Sequence, residues 1–444
     1  MSSFAVGPTP ATLLVFVPLL PLMMAAALLP KACRATVIAL APWTALPALA
    51  AVPLCSGTSV DLPWLLLGAR LGLDDIGQVF LFFTAALWLI AGSYSRHYLK
   101  TDENPARYFA FYLLAMAGNL GLIVAEDALS FYLFFALMSF SSYGLIVHRR
   151  SADALRAGRV YIALVILGEV LMFAGLMTAA WQTGTVYIEP MAASIRSDLV
   201  IALLVAAFGI KAGALPLHVW LPLAHPVAPV PASAVLSGTM IKAGLLGWLR
   251  FLPLGTVALP EWSAVFVTAG LAAAVFGVLV GLLQDQSKTV LAYSSISQMG
   301  FMTVCIGIGM AAPDAWPMCL SAVLLYALHH AFAKGTLFLG VGVAAASGKD
   351  TVQRWLVGSG LSFAAMALAG LPMTSGAIAK SALSSLSGYL WPDGISLMLS
   401  MLAIGTTLLM ARFLYLVWPR GKHESPIAAG LWIPWTFALL AVAL

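Results

Sequence analysis

The chain has 444 residues, of which 62% are hydrophobic and only 9% charged, and its mean hydropathy is +0.99. A soluble domain carries roughly 25% charged residues, so a soluble multidomain enzyme and a disordered chain are both excluded. The formal net charge of +5 is scattered along the chain and too small to suggest a nucleic-acid partner.

The apolar residues come in runs of about 20, the length of a helix that crosses a bilayer core. Barrel strands would instead alternate apolar and polar residues. The expectation is an all-α polytopic membrane protein with about 14 spans. In chain order these are 11–30, 35–55, 74–94, 108–125, 128–148, 158–180, 197–216, 228–252, 262–283, 289–311, 316–346, 356–386, 394–418 and 427–444. The twelfth is too long for one straight crossing and has Gly370-Leu371-Pro372 in its middle. The first lacks a basic flank, so no cleavable signal peptide is expected.

Fourteen basic residues, from Lys31 and Arg34 to Arg420 and Lys422, fall in connections after odd-numbered spans, against three (Arg70, Arg196, Arg250) after even-numbered ones. Positive charge gathers on the cytoplasmic side, which places the odd connections there and both termini outside. His148, Arg149 and Arg150 read as a cytoplasmic anchor. The Ala- and Leu-rich composition suggests a bacterial plasma (inner) membrane.

Five basic residues remain within spans: Lys211, Lys242, Lys334, Lys380 and Arg412. Glu169 is the one acid in mid-span, and His218, His225, His329 and His330 also lie at membrane depth. Charges there are costly and usually line a water-filled path or pair with one another. A buried lysine can exchange its proton near neutral pH, and histidine does so without perturbation. These groups therefore read as a proton path across the bundle. Arg412, near a span end, fits a snorkelling residue. Lys334 fits either conduction or a tie between helices.

Two charged groups sit beside helix breaks. One break is Lys211-Ala212-Gly213-Ala214-Leu215-Pro216, with further prolines at 222, 226, 229 and 231; the other is Gly370-Leu371-Pro372, with Lys380 eight residues on. Proline removes a backbone donor, and the freed carbonyls are tolerated at membrane depth only where protein or water satisfies them. Matched interruptions in two halves point to a transport site built from repeats. The breaks fall in the seventh and twelfth spans, an odd offset, so the halves would be inverted.

Residues 211–244, from Lys211-Ala-Gly-Ala-Leu-Pro to Met240-Ile241-Lys242-Ala-Gly, resemble the antiporter-like subunits of respiratory complex I, Mrp cation/proton antiporters and membrane-bound hydrogenases. Asp285-Gln-Ser-Lys288 through Gln298-Met-Gly resembles that family's tenth helix. His329-His330-Ala-Phe-Ala-Lys334-Gly-Thr resembles its eleventh. The likeness covers about residues 105–385. It implies 14 helices in four parts: 1–104, a first five-helix repeat at 105–255, an inverted second at 256–420, and a last helix at 421–444. It also implies a midplane chain in which Lys211 and Lys242 are followed by His330 and Lys334 and end at Lys380.

One departure stands out. Where the family has a glutamate that pairs with the lysine matched to Lys211, this chain has Ala136, in Phe131-Tyr132-Leu133-Phe134-Phe135-Ala136. Glu169, on the next span, is the acid left to take that role. His218, His225, His329, Asp285 and Lys288 are candidates for gating or proton uptake, with an Asp285–Lys288 ion pair the plainer reading of the last two. Pro216 and Pro372 mark the breaks.

Cys33, Cys55, Cys305 and Cys319 form no C-x-x-C pair, and there is no dinucleotide fingerprint or haem motif. No metal or cofactor is expected, and the chain is not expected to be catalytic alone. The resemblance implies an ion-translocating subunit of a larger assembly, with other membrane subunits as partners. That assembly could be a redox pump of the NADH:quinone oxidoreductase or hydrogenase kind, or a Na+(K+)/H+ antiporter. It could also be an inorganic-carbon uptake complex with a soluble zinc-binding partner. A non-transporting scaffold is the remaining reading.

Overall fold

The computed structural model describes residues 9–385, 394–420 and 426–443. The chain runs through α1 (Pro10–Ala26), α2 (Arg34–Leu40), α3 (Leu46–Leu54), a hairpin of β1 (Ser59–Leu62) and β2 (Ala69–Gly72), α4 (Asp75–Tyr98), α5 (Pro105–Val124), α6 (Ala128–Ile146) and α7 (Ala152–Thr183). Then come α8 (Ile188–Ser194), α9 (Asp198–Ala212), α10 (Trp220–Val227), α11 (Val230–Val235), α12 (Ile241–Phe251), α13 (Pro260–Leu282), α14 (Ser287–Ala311) and α15 (Trp316–Ala345). The last four are α16 (Thr351–Ala369), α17 (Ser375–Ser384), α18 (Gly394–Val417) and α19 (Ala429–Ala443).

Among the described residues, nine helical stretches are long and apolar enough to cross a membrane, and three shorter apolar ones accompany them. The protein is a multi-pass helical membrane protein. Helix starts follow from sequence: Asp74 caps α4 by accepting from the Gly77 N–H (2.7 Å), and Asp127 caps α6 through the Ser130 N–H (2.8 Å). Ser151 caps α7 through the Ala154 N–H (3.2 Å). Proline opens α5 and α13, where its missing N–H costs nothing.

The two expected breaks and one unexpected interruption show in the helices. The span 197–216 stops as a helix at Ala212 and resumes at Trp220. The span 228–252 is interrupted by a π-helical turn at Leu236–Met240. The long region 356–386 starts earlier, at Thr351, and divides into α16 and α17. The antiparallel hairpin, with Ser59 opposite Gly72 and Leu62 opposite Ala69, was not legible because each strand holds only four residues. It docks on the α5–α6 turn, where the Arg70 N–H donates to Asp127 Oδ2 (2.9 Å).

The segment Val230–Phe251 is wholly buried, and α14 and α15 nearly so. These helices form the middle of the bundle, packed against α4, α10, α13 and α18. Association inside a bilayer rests on close packing and polar contacts, since lipid is as apolar as the helices. The central helices also carry Lys242, His329, His330 and Lys334.

Candidate functional site

Lys211 lies in the last turn of α9 and is buried. The helix ends there because Gly213, at φ +70°, takes a left-handed conformation open to glycine, and Pro216 follows. Lys211 Nζ donates to Tyr161 Oη (3.2 Å), and the Tyr161 hydroxyl donates to the Ser139 carbonyl (2.9 Å). The Tyr161 and Trp220 rings stand 5.6 and 5.9 Å from the ammonium, a range in which their faces attract a cation. Trp220 reaches back across the break, donating from Nε1 to the Ile210 carbonyl (2.7 Å), which the interrupted helix leaves open.

Glu169, on α7, is buried with Oε2 lacking a hydrogen-bond partner. It lies beside Ser139 and within electrostatic reach of Lys211. The two make no direct ion pair within 4.0 Å; Tyr161 holds Lys211 instead. Tyr161, Ser139 and Ser142 were missed in the sequence because hydroxyl groups do not stand out in an apolar span as charges do.

A second cluster surrounds the π-helical turn. Such turns free backbone groups and recur at functional sites. Lys242 Nζ donates to the Ser237 carbonyl (2.6 Å), five residues back. Lys334 Nζ donates to the Leu291 carbonyl (2.8 Å) and makes a shorter bond to Ser294 Oγ, so it does tie α15 to α14. Lys334 lies within electrostatic reach of Lys242, and both lie within reach of His330. His330 is fully buried and neither ring nitrogen has a hydrogen-bond partner. His225 is likewise buried and unpaired, stacked on Phe338 at 4.5 Å, and it lies within reach of Lys288 and Lys334. Buried groups left unpaired cost stability and call for a functional account.

His329 and Lys380 close the row. His329 lies within reach of Lys242, His330 and Lys380. Its Nδ1 bonds Ser375 Oγ (2.8 Å) on α17. The second break repeats the pattern of the first. Helix α16 ends at Gly370, φ +81°, Pro372 follows, and a side chain from the next helix reaches back. Here it is Lys380 Nζ, donating to the Ala369 carbonyl (2.5 Å).

The expected residues thus fall into two groups: Glu169 with Lys211, and Lys242, His225, His330, Lys334, His329 and Lys380 together. The serines of α6 lie between the groups. Ser142 bonds the Met138 carbonyl and touches Met240 Sδ (3.2 Å), in the π-helical turn.

One expectation is corrected. Asp285 pairs with Arg412 (2.8 Å), not Lys288; the partner lies on α18, distant in sequence. Arg412 binds the exposed Asp285 and the Gln284 carbonyl, as a side chain snorkelling from a span end does. Lys288 turns inward and donates to the Ala228 carbonyl (2.6 Å). His218 is half-buried against Phe276, 5.0 Å between rings, and belongs to neither charged group.

The fold, with its buried lysines beside two broken helices, is that of a polytopic helical membrane protein. Residues 125–416 match the family described as NADH:quinone oxidoreductase/Mrp antiporter, TM, and the chain belongs to that family. Hydrogenase-4 component B of Escherichia coli (strain K12) is 32% identical over 286 residues, 61% of this chain and 43% of that one. Putative antiporter subunit mnhA2 of Staphylococcus haemolyticus (strain JCSC1435) is 30% identical over 413 residues, 84% of this chain and 51% of the other. The chain spans about half the length of the curated relatives it matches. A chain of the Mrp complex from Dietzia sp. DQ12-45-1b superposes with a TM-score of 0.83 at 24% identity, covering 98% of this chain and 93% of that one. A chain of the membrane-bound sulfane sulfur reductase, an archaeal respiratory membrane complex, gives 0.79 at 20% identity with the same coverage. At these identities the likeness shows the fold.

Proposed function

We propose that this chain is a proton-translocating membrane subunit of a multi-subunit complex. The observation that carries the reading is the pair of buried groups around Lys211 and Lys242, joined through the hydroxyls of α6 and ending at Lys380. A proton would be held by Lys211, pass by Tyr161 and Ser142 toward Lys242, continue by His330 and Lys334, and leave near Lys380. Like charges in one row work against each other, so loading one site promotes release from the next. Glu169 would supply the countercharge that the family takes from the position of Ala136, acting across Tyr161 rather than by direct contact. His225 and His329 belong to the row; His218 and Lys288 would be access points.

The architecture in this reading has 14 crossings, the broken pairs α9–α10 and α16–α17 each counting as one, with two inverted repeats and both termini outside. The matching left-handed glycines and back-reaching side chains at the two breaks support the repeats. The basic connections support the orientation, and the bacterial relatives support a plasma membrane. The energy source would be a partner: a redox arm, or a soluble zinc-binding subunit. A cation/proton antiporter is the second reading, favoured by the Mrp-related neighbours.

The test combines purification in mild detergent with a proton-movement assay in vesicles. Co-purifying membrane subunits and proton movement lost in Lys242→Met are expected. A chain that purifies alone, or unchanged proton movement in that variant, refutes the proposal. Sodium or potassium moving in exchange selects the antiporter reading.

A further inference from the structure

A separate site lies at the end of the bundle that carries most of the basic residues. Where α5 begins and α6 ends, a cavity of about 390 Å3 is lined by Arg107, His148 and Arg150, with Phe111, Tyr143 and Val147 as its apolar wall. None of these takes part in the lysine row.

Two observations point to a bound anion. First, Arg150 is exposed and makes no hydrogen bond or ion pair through its side chain among the described residues. Second, it sits at φ +53°, its N–H closing the end of α6 on the Val147 carbonyl (2.9 Å). A helix normally closes this way with glycine, because a side chain is strained there. Arg150 holds that conformation with its guanidinium on the wall of the cavity. His148 stands beside these groups, only 3% exposed, with Nε2 on Asp102 Oδ2 (3.2 Å); burial outweighs the pull of that carboxylate and holds the ring below the usual histidine range, so the arginines, not His148, would meet the anion. Arg107, from α5, donates to the His148 carbonyl (2.7 Å) and keeps further N–H groups for the cavity.

The local charge agrees. From Arg149 to Arg159 the chain carries Arg149, Arg150, Arg156 and Arg159 against Asp153 alone. Asp102 is already taken by His148 and the Asn104 N–H (2.8 Å). The apolar wall belongs to helices that enter the membrane at this level, a setting that matches a lipid better than a free ion. Basic pockets between membrane helices on such a face suit anionic headgroups.

We propose that this cavity binds the phosphate of an anionic membrane lipid between Arg107 and Arg150, with an acyl chain along Phe111 and Tyr143. The lipid would fix the ends of α5, α6 and α7 relative to one another.

The test is thermal unfolding of the complex purified in detergent, with phosphatidylglycerol, phosphatidylcholine or inorganic phosphate added. Phosphatidylglycerol should raise Tm by about 3 °C or more, and the other two should not. Arg150→Gly suits the left-handed backbone, so the lipid-free protein should be at least as stable as the parent. Its affinity for phosphatidylglycerol should fall about fivefold, the share of one basic residue. Arg107→Gln should give a similar loss, and Arg156→Gln, outside the cavity, none. Equal effects of the two lipids, full stabilisation by inorganic phosphate alone, or unchanged phosphatidylglycerol affinity in Arg150→Gly would each overturn the assignment.

Discussion

Glu169→Gln removes the carboxylate within reach of Lys211 while keeping its size. Glu169 is 5% exposed and lies beyond 4.0 Å from the Lys211 ammonium, so the change breaks no direct contact. Two unit charges 4 Å apart interact by about 4 kcal/mol at an effective dielectric of 20, and at roughly 6 Å by about 3 kcal/mol. The loss of that countercharge should slow turnover by roughly ten- to a hundredfold, with assembly unchanged. The assay is proton uptake into inverted vesicles, followed with a pH-sensitive dye. Because both residues act on one step, Glu169→Gln combined with Lys211→Met should be no slower than Lys211→Met alone. Adding Ala136→Glu to Glu169→Gln should restore part of the rate, since that position holds the family's carboxylate. Full activity in Glu169→Gln, or deficits that multiply in the double variant, would refute the reasoning.

Tyr161→Phe takes an acceptor from Lys211 and a donor from the Ser139 carbonyl without opening a cavity. It should cost about 2–4 kcal/mol in chemical unfolding and reduce proton uptake. Arg250 is 7% exposed, paired with Asp74 (2.8 Å) and bound to the Ala125 carbonyl. Arg250→Gln should destabilise by about 2–3 kcal/mol, less than a fully buried pair because Asp74 can rehydrate. Glu126, in the α5–α6 turn, has its pKa raised by burial, against the pull of Arg250 and with Asp74 adding to the rise. The folded state therefore holds this proton more tightly than the unfolded chain. Stability should fall as pH rises from the ordinary carboxylate range through the raised value. Glu126→Gln should remove that slope and be the more stable form at neutral pH, checked by unfolding across pH.

Much of the site was legible because lysine and histidine are conspicuous in an apolar span. Lys211, Lys242, Lys334, Lys380 and His329 all meet polar partners in the interior, and His330 lies within reach of Lys242 and Lys334. The breaks were legible too, since Gly213 with Pro216 and Gly370 with Pro372 cannot continue a helix. Long-range pairing was not. Asp285 finds Arg412 rather than its neighbour Lys288 because a tertiary contact outcompetes a local one. The role of Tyr161 was hidden for the same reason, its partners lying on α6 and α9. The π-helical turn at Leu236–Met240, packed against α15 and α4, has no sequence pattern of its own.

The most direct test is proton flux through the complex carrying Lys211→Ala or Lys380→Ala, one at each end of the row. Subunit composition would be verified by mass spectrometry on the same preparations. The account predicts intact assembly and loss of flux in both variants. Normal flux in both, with assembly intact, would contradict it.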